Sequence, residues 1–388
     1  MVAFMTGSET TEQGVFLRRA AVAAFLQSCR QTVVRRRHRF VPIQLTDPTS
    51  APVYEPSALQ RFLESLLFDP RDAVFVRLWM RSVVLVVPAI GLMFWKFSWW
   101  AAPIMFVFQV AWMTPPAILM LHNTMHRPFF KRWRVMNRVV PYSMSALFGI
   151  PTGYMEHHVA MHHMENNLRA DLSSTMRYQR DSFAHWCVYT ARFFLFSHFE
   201  LTAYLVRKGR TALAIRAVSS DAVHLLSMLA LCFVNAQATL VCFILPYITV
   251  RLAMMAGNWG QHAFIDASRP GDSYVNSITC INAAYNARCF NDGYHIGHHV
   301  KQNRHWTEMP QDFLDNLQRY RRENCVVFRG LDFFMVSVLL WTKQYRVLAR
   351  QFVRLPGDER TDEEVIAFLK ERTKAIPAEV PEGAVVNA

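Results

Sequence analysis

Residues 99–126 read WWAAPIMFVFQVAWMTPPAILMLHNTMH. From Trp99 to Leu121 the stretch carries no charge over 23 residues. That is enough for a helix, rising ~1.5 Å per residue, to cross a hydrocarbon core of ~30 Å. Where the apolar run stops, His122 and His126 stand four positions apart, on one face of any helix that continues. An apolar span that delivers two imidazoles at its end sets the reading of everything around it.

Upstream, residues 82–95 read SVVLVVPAIGLMFW, extended by Val74 to Met80, with Arg77 and Arg81 able to snorkel to an interface. Lys96-Phe97-Ser98 breaks this run from the next. Downstream, Ala222–Val234 and Ala238–Val250 form a second apolar pair, broken at Asn235-Ala236-Gln237. A buried soluble hairpin is the alternative for this shorter pair. The first pair favours a membrane, so the expected fold is all-α and multi-pass, with four transmembrane helices (about 76–95, 99–121, 218–234 and 237–256) in two hairpins. Arg35, Arg36, Arg37, Arg39, Arg61, Arg71, Arg77 and Arg81 precede the first hairpin, and Arg127, Lys131, Arg132, Arg134 and Arg138 follow it. The two turns offer only Lys96. The positive-inside rule then puts both termini and residues 122–220 on the cytosolic side, with Trp95, Trp99 and Trp100 at the opposite interface.

Composition agrees. Of 388 residues, 52% are apolar and only 18% charged, which excludes disorder. The 42 Lys and Arg against 29 Asp and Glu first suggest nucleic acid, but these cations flank apolar runs and accompany no nucleic-acid motif. Seven scattered cysteines form no CxxC pair, which argues against a disulfide scaffold or thiolate zinc site. Residues 184–207 are apolar with polar breaks and read as a helix lying at the interface. Phe333 to Trp341 is too short to cross, and Thr361-Asp362-Glu363-Glu364 fits a capping box opening a surface helix. Residues 1–40 hold seven Arg and read as a basic arm rather than a transit sequence. Gln109, Thr114 and Gln237, within or near the spans, are expected to make interhelical hydrogen bonds.

Fifteen histidines are the unusual number, and most are clustered. After His122-Asn-Thr-Met-His126 come His157-His158-Val-Ala-Met-His162-His163, Asn258-Trp-Gly-Gln-His262, His295-Ile-Gly-His298-His299, and His305. Helical spacing predicts that His158 shares a face with His162, and His295 with His298 and His299. His157 has the poorer spacing and is set aside. His38, His185, His198 and His224 read as ordinary polar contacts. The remaining groups follow spans two and four, so they can converge beneath the hairpins. Imidazole suits Fe, Zn, Cu or Ni, and nine imidazoles exceed what one ion takes, so two metals are expected.

The order HNTMH, HVAMHH, NWGQH and HIGHH resembles the membrane fatty acid desaturase family over roughly residues 74–311. The resemblance implies a diiron centre held by His122, His126, His158, His162, His163, His262, His295, His298 and His299, with Asn258 reaching a metal through water. It divides the chain into a cytosolic basic region (1–73), a desaturase domain (74–311) and a C-terminal helical region and tail (312–388). It implies a cytosolic helical cap holding two Fe ions, O2 as co-substrate, and a fatty acyl substrate on a lipid or on coenzyme A. Residence in the endoplasmic reticulum membrane, if the source is eukaryotic, or in an organelle membrane follows from the same likeness. With no His-Pro-Gly-Gly haem motif and no flavin fingerprint, the electrons are expected from a separate cytochrome b5-type protein or ferredoxin, docked on the Arg-rich face. The first box has three intervening residues, nearer the acyl-lipid type. The second box departs from the commonest two-residue spacing.

Two other classes compete. Hydroxylases, conjugases and acetylenases use the same histidine pattern and differ in product. A His-rich metal transporter or sensor would place its ligands at mid-bilayer on broken spans, whereas the clustered histidines here lie outside the apolar runs.

Overall fold

The computed structural model describes residues 43–52 and 57–377. His38 and the basic arm lie outside the described residues. The chain is mostly helical, and three of its described helical stretches, Pro70–Trp95, Ala102–His126 and Thr211–Gln261, are long and apolar enough to cross a membrane. Within them and beyond, the elements that position the site are α1 (Ala73–Trp95), α2 (Ala102–His126), α3 (Met136–Phe148), α4 (154–165), α5 (Phe183–Arg207), α6 (Thr211–Thr239), α7 (Leu245–Gln261) and α8 (His295–Val300).

The third stretch is 51 residues and is not straight. Asn235 leaves helical geometry at φ −157° and ψ 97°. Its side chain accepts from the Ala238 backbone N–H at 3.0 Å, and its Nδ2 donates to the Phe94 carbonyl at 3.3 Å. The His224 ring then lies 5.7 Å from that of Tyr247. A continuous helix would hold those two residues ~35 Å apart, so the arms before and after Asn235 lie side by side.

Two π-helical turns interrupt the apolar helices, at Val107–Met113 and Leu240–Ile244. Both precede proline, which lacks the N–H that would close the α-helical bond. Pro115 and Pro116 leave the carbonyls of Ala111 and Trp112 free, and Arg288 Nη2 donates to both. Pro246 leaves the Cys242 carbonyl free, and Gln109 Nε2 donates to it at 2.9 Å. The interhelical bond expected of Gln109 is therefore present, and it repairs a backbone defect. Thr114 does otherwise: its hydroxyl donates to the Gln109 carbonyl of its own helix at 2.7 Å.

An apolar core between α1, α2 and α3 includes Val86, Met93, Met113, Val140 and Phe148. Gly149 ends α3 at φ +67°, and a Cβ there would sit 2.5 Å from the Tyr247 nitrogen, so only glycine lets α3 and α7 meet. Outward, Val84, Ile104, Leu226, Leu229 and Phe233 form an exposed apolar surface. α5 follows the expected 184–207 segment closely and exposes Leu195, Phe196 and Phe199.

The expectation of an all-α chain needs one correction. β1 (Ile278–Ile281) and β2 (Val326–Arg329) pair in parallel, Ile278 opposite Val326. Each strand has four residues with no polar alternation because β1 is wholly buried, so no period-2 pattern announces it. Beyond β2, α9 (Phe333–Trp341) lies against α7, where a Cβ on Gly260 would fall 2.2 Å from the Phe333 carbonyl. α10 (Asp362–Arg372) opens with the expected capping box, Thr361 and Glu364 bonding reciprocally. Arg180, fully buried, joins this end to the rest: it donates to the carbonyls of Thr175, Met176, Tyr178, Ala263, Arg372 and Lys374.

Candidate metal centre

All nine sequence-predicted imidazoles converge. His122, His126, His158, His163 and His298 form one group, and His162, His262, His295 and His299 another. Within each group the ligand nitrogens lie within 4.8 Å of one another. The two groups adjoin: the His163 and His299 rings, one from each, are 4.7 Å apart.

Helix geometry explains the sorting. His122 and His126 end α2 in regular α-helix and stay together. α4 contains a third π-helical turn, His158–His162, in which the His163 N–H bonds back to the His158 carbonyl. Residues five apart then share a face. His158 Nε2 meets His163 Nε2 at 3.0 Å, and His162 turns to the other group. The expected pairing of His158 with His162 is thus replaced by His158 with His163. On α8 the regular spacing unites His295 and His299, whose Nε2 atoms lie 3.1 Å apart. His298 departs from the expected common face and joins His122, Nε2 to Nε2 at 2.8 Å.

Four outer nitrogens are held by acceptors. His162 Nδ1–H donates to Asp171 Oδ2 at 2.6 Å, and His262 Nδ1–H to the Asn276 carbonyl at 2.8 Å. His299 Nδ1–H donates to Asn166 Oδ1 at 3.1 Å, and His122 Nδ1 lies 3.2 Å from Asp292 Oδ1. A proton fixed on Nδ1 leaves Nε2 as a bare lone pair pointing inward. Asp171 is itself held by the Ser173 N–H and hydroxyl, each at 2.8 Å, and Asp292 by the Tyr285 hydroxyl at 2.9 Å. These acids were missed by spacing. The need of each ligating imidazole for an outer acceptor would have pointed to the nearest carboxylates, Asp171 after one box and Asp292 before another.

Burial, reinforced by neighbouring imidazoles, holds His158, His163, His295, His298 and His299 well below the ordinary histidine pKa. Burial brings His262 down to about 3. Burial alone would raise Asp171, but its electrostatic interaction and hydrogen bond with the His162 ring prevail and hold that carboxyl well below the ordinary carboxylate range. Inward ring nitrogens 2.8–3.4 Å apart need something shared between them, a proton or a cation. Nitrogens bound at ~2.1 Å to one ion stand ~3 Å apart. The donors therefore fit a metal in each group, with soft thiolates absent and imidazole throughout.

Asn258 belongs to neither group. Its Nδ2 donates to the Tyr189 hydroxyl at 2.8 Å and to the Ser173 carbonyl at 3.0 Å, and it lines a cavity of about 330 Å³. The cavity reaches His122, His158, His162 and His295, and its wall is largely apolar, with Ile118, Leu119, Phe193, Met254 and Phe333. His157 also lines it, 3.8 Å from Asp171 and outside both groups. His305 lies elsewhere: its Nδ1 accepts from the Thr307 N–H, and its Nε2 is 3.3 Å from Asp72, which Arg127 also engages. His185 accepts from the Gln179 N–H, and His198 pairs with Asp221 at 2.7 Å.

A helical protein with membrane-length apolar stretches and a paired polyhistidine centre is a recognisable class. A family model described as fatty acid desaturase matches residues 98–330, more than half the chain. The chain belongs to the fatty acid desaturase family, which makes it an oxidoreductase. No curated protein and no solved structure matches it.

Proposed function

We propose that this chain is a membrane-bound oxidoreductase that introduces a double bond into a fatty acyl chain. Dioxygen is the co-substrate and a separate donor supplies two electrons. The convergence of nine imidazoles into two adjoining groups at an apolar cavity carries this reading. His122, His126, His158, His163 and His298 would hold one iron, and His162, His262, His295 and His299 the other, with Asn258 linked through water. The irons supply the dioxygen chemistry that no side chain can perform on an unactivated methylene. Two electrons from the C–H bonds and two from the donor reduce one dioxygen to two waters.

The chain's own residues do the positioning. Asp171, Asp292 and Asn166 fix ring orientation and tautomer, and burial keeps His158, His163, His262, His295, His298 and His299 unprotonated. Ile118, Leu119, Phe193 and Phe333 give the acyl chain a dry wall beside the histidines. Four spans in two hairpins are supported by the folded-back arms at Asn235 and by the break at Lys96. The positive-inside bias then assigns the histidines to the cytosolic face, as in an endoplasmic reticulum protein. The basic residues of that face suit an acidic cytochrome b5-type protein or ferredoxin.

Expression in a host with a simple fatty-acid profile, followed by lipid analysis, tests the reaction. A new unsaturated acyl chain, lost in His298→Ala together with iron, is expected. Hydroxy-acyl products alone would move the chain to the hydroxylase branch, and a single zinc with no acyl product would favour a transporter or sensor.

A further inference from the structure

Arg251 is 94% shielded, with 6% of its surface exposed, and it lies in the wall of the same cavity. Its Nη1 donates to the Gly149 carbonyl at 2.7 Å and the Tyr247 carbonyl at 3.3 Å, and its guanidinium lies over the Tyr247 ring at 3.4 Å. Among the described residues, neither Nε nor Nη2 has an acceptor, and no carboxylate lies within ion-pair distance. The nearby acid is committed elsewhere: one Asp221 oxygen accepts from the Thr152 hydroxyl, and the other is 2.7 Å from His198 Nδ1. A guanidinium withdrawn from water with no carboxylate in contact is costly, and the ring face and the more distant Asp221 offset this only in part.

The position matters as much as the charge. Arg251 and Asn258 are seven residues apart on α7, nearly two full turns, so they share a face ~10 Å apart along the axis. Both line the cavity, Arg251 at one level and Asn258 beside the histidines. Arg251 lies 16 residues from the Asn235 bend, ~24 Å along the helix, which is near the far edge of a hydrocarbon core of ~30 Å. His198 and Asp221 line the same cavity.

We propose that Arg251 receives an anionic oxygen group at the head of the acyl substrate, a carboxylate or a phosphate, and so registers the chain against the histidine groups from its head end. This rests on the acyl-chain reading of the cavity. The guanidinium offers the edge formed by its free Nε and Nη2 to a charge that arrives with the chain, while the methylenes run along Phe193 and Met254. Bidentate recognition of a carboxylate or phosphate is what this fork-shaped side chain does best.

The test is equilibrium binding to the purified protein in detergent, read by tryptophan fluorescence, with no turnover needed. Palmitate and hexadecanol share a chain and differ in the charged head. The wild type should bind palmitate at least tenfold more tightly, Arg251→Gln should bring the two within twofold, and Arg251→Lys should keep part of the preference. Palmitoyl lysophosphatidate and palmitoyl-coenzyme A, run beside palmitate, identify the source of the anion by which shows the largest Arg251→Gln loss. Equal binding of palmitate and hexadecanol by the wild type overturns the proposal without any variant, as does full retention of the preference in a folded Arg251→Gln protein. Charge preference without unsaturated product in the lipid analysis would leave the head-group site standing and remove the desaturase reading. The converse result separates them the other way.

Discussion

Asp171 and Asp292 belong to neither histidine group, yet each holds the outer side of an imidazole. Asp171→Asn keeps the shape but removes the charge that keeps the His162 Nδ1 proton in place. Metal affinity should fall ~10–100-fold while the fold is retained, measured by chelator competition and circular dichroism. The histidines themselves set a pH limit. His158, His163, His295, His298 and His299 stay neutral in the folded chain far below the value of 6.5 at which they charge when unfolded. The unfolded state therefore takes up more protons as pH drops below 6.5, so stability is complete above that pH and declines beneath it. Each such group contributes up to ~1.4 kcal/mol per pH unit. Metal-free protein should melt several degrees lower at pH 5.5 than at pH 7.5 by fluorescence-monitored unfolding.

The π-turn in α4 is where one helix becomes two ligand surfaces. If it sorts the histidines as observed, His158→Ala combined with His298→Ala strikes a single group, and His158→Ala combined with His162→Ala strikes both. The first double variant should keep about half the bound metal and the second nearly none, by elemental analysis. Equal losses would mean that the two groups do not bind independently. This turn also marks what the sequence could and could not reveal. His122 and His126 were legible because α2 ends in regular helix, and the apolar runs because an apolar helix announces itself by length. His158 and His162 were misassigned because spacing on the page assumes 3.6 residues per turn, and no proline stands near them to warn of a wider one. The π-turns in α2 and before α7 did carry a signal, in Pro115-Pro116 and Pro246. Asp171 and Asp292 sit in irregular segments, where no periodicity links an acid to the ring it serves.

At the scale of the molecule, the apolar surface and the Asn235 bend make a statement about sides. Glycosylation or cysteine-labelling tags inserted after Lys96 and after Ala236 should be accessible from the face opposite tags placed at Arg132 and Lys301. A tag at Ala236 labelled from the same face as Arg132 would remove the second hairpin. The two short strands were illegible for a related reason, since each is held by a partner distant in the chain, whereas the capping box of α10 is local and could be read. Arg180 shows what such holding entails. Its carbonyl partners at Arg372 and Lys374 lie past residue 330, where the family match stops, while its partner at Ala263 adjoins His262. A chain cut before Arg372 would strand this cation among too few acceptors, and bound metal, read by elemental analysis, should be lost although every histidine remains. A segment beyond the family match thus braces the surroundings of the histidine groups from outside, through two backbone oxygens rather than through any side chain.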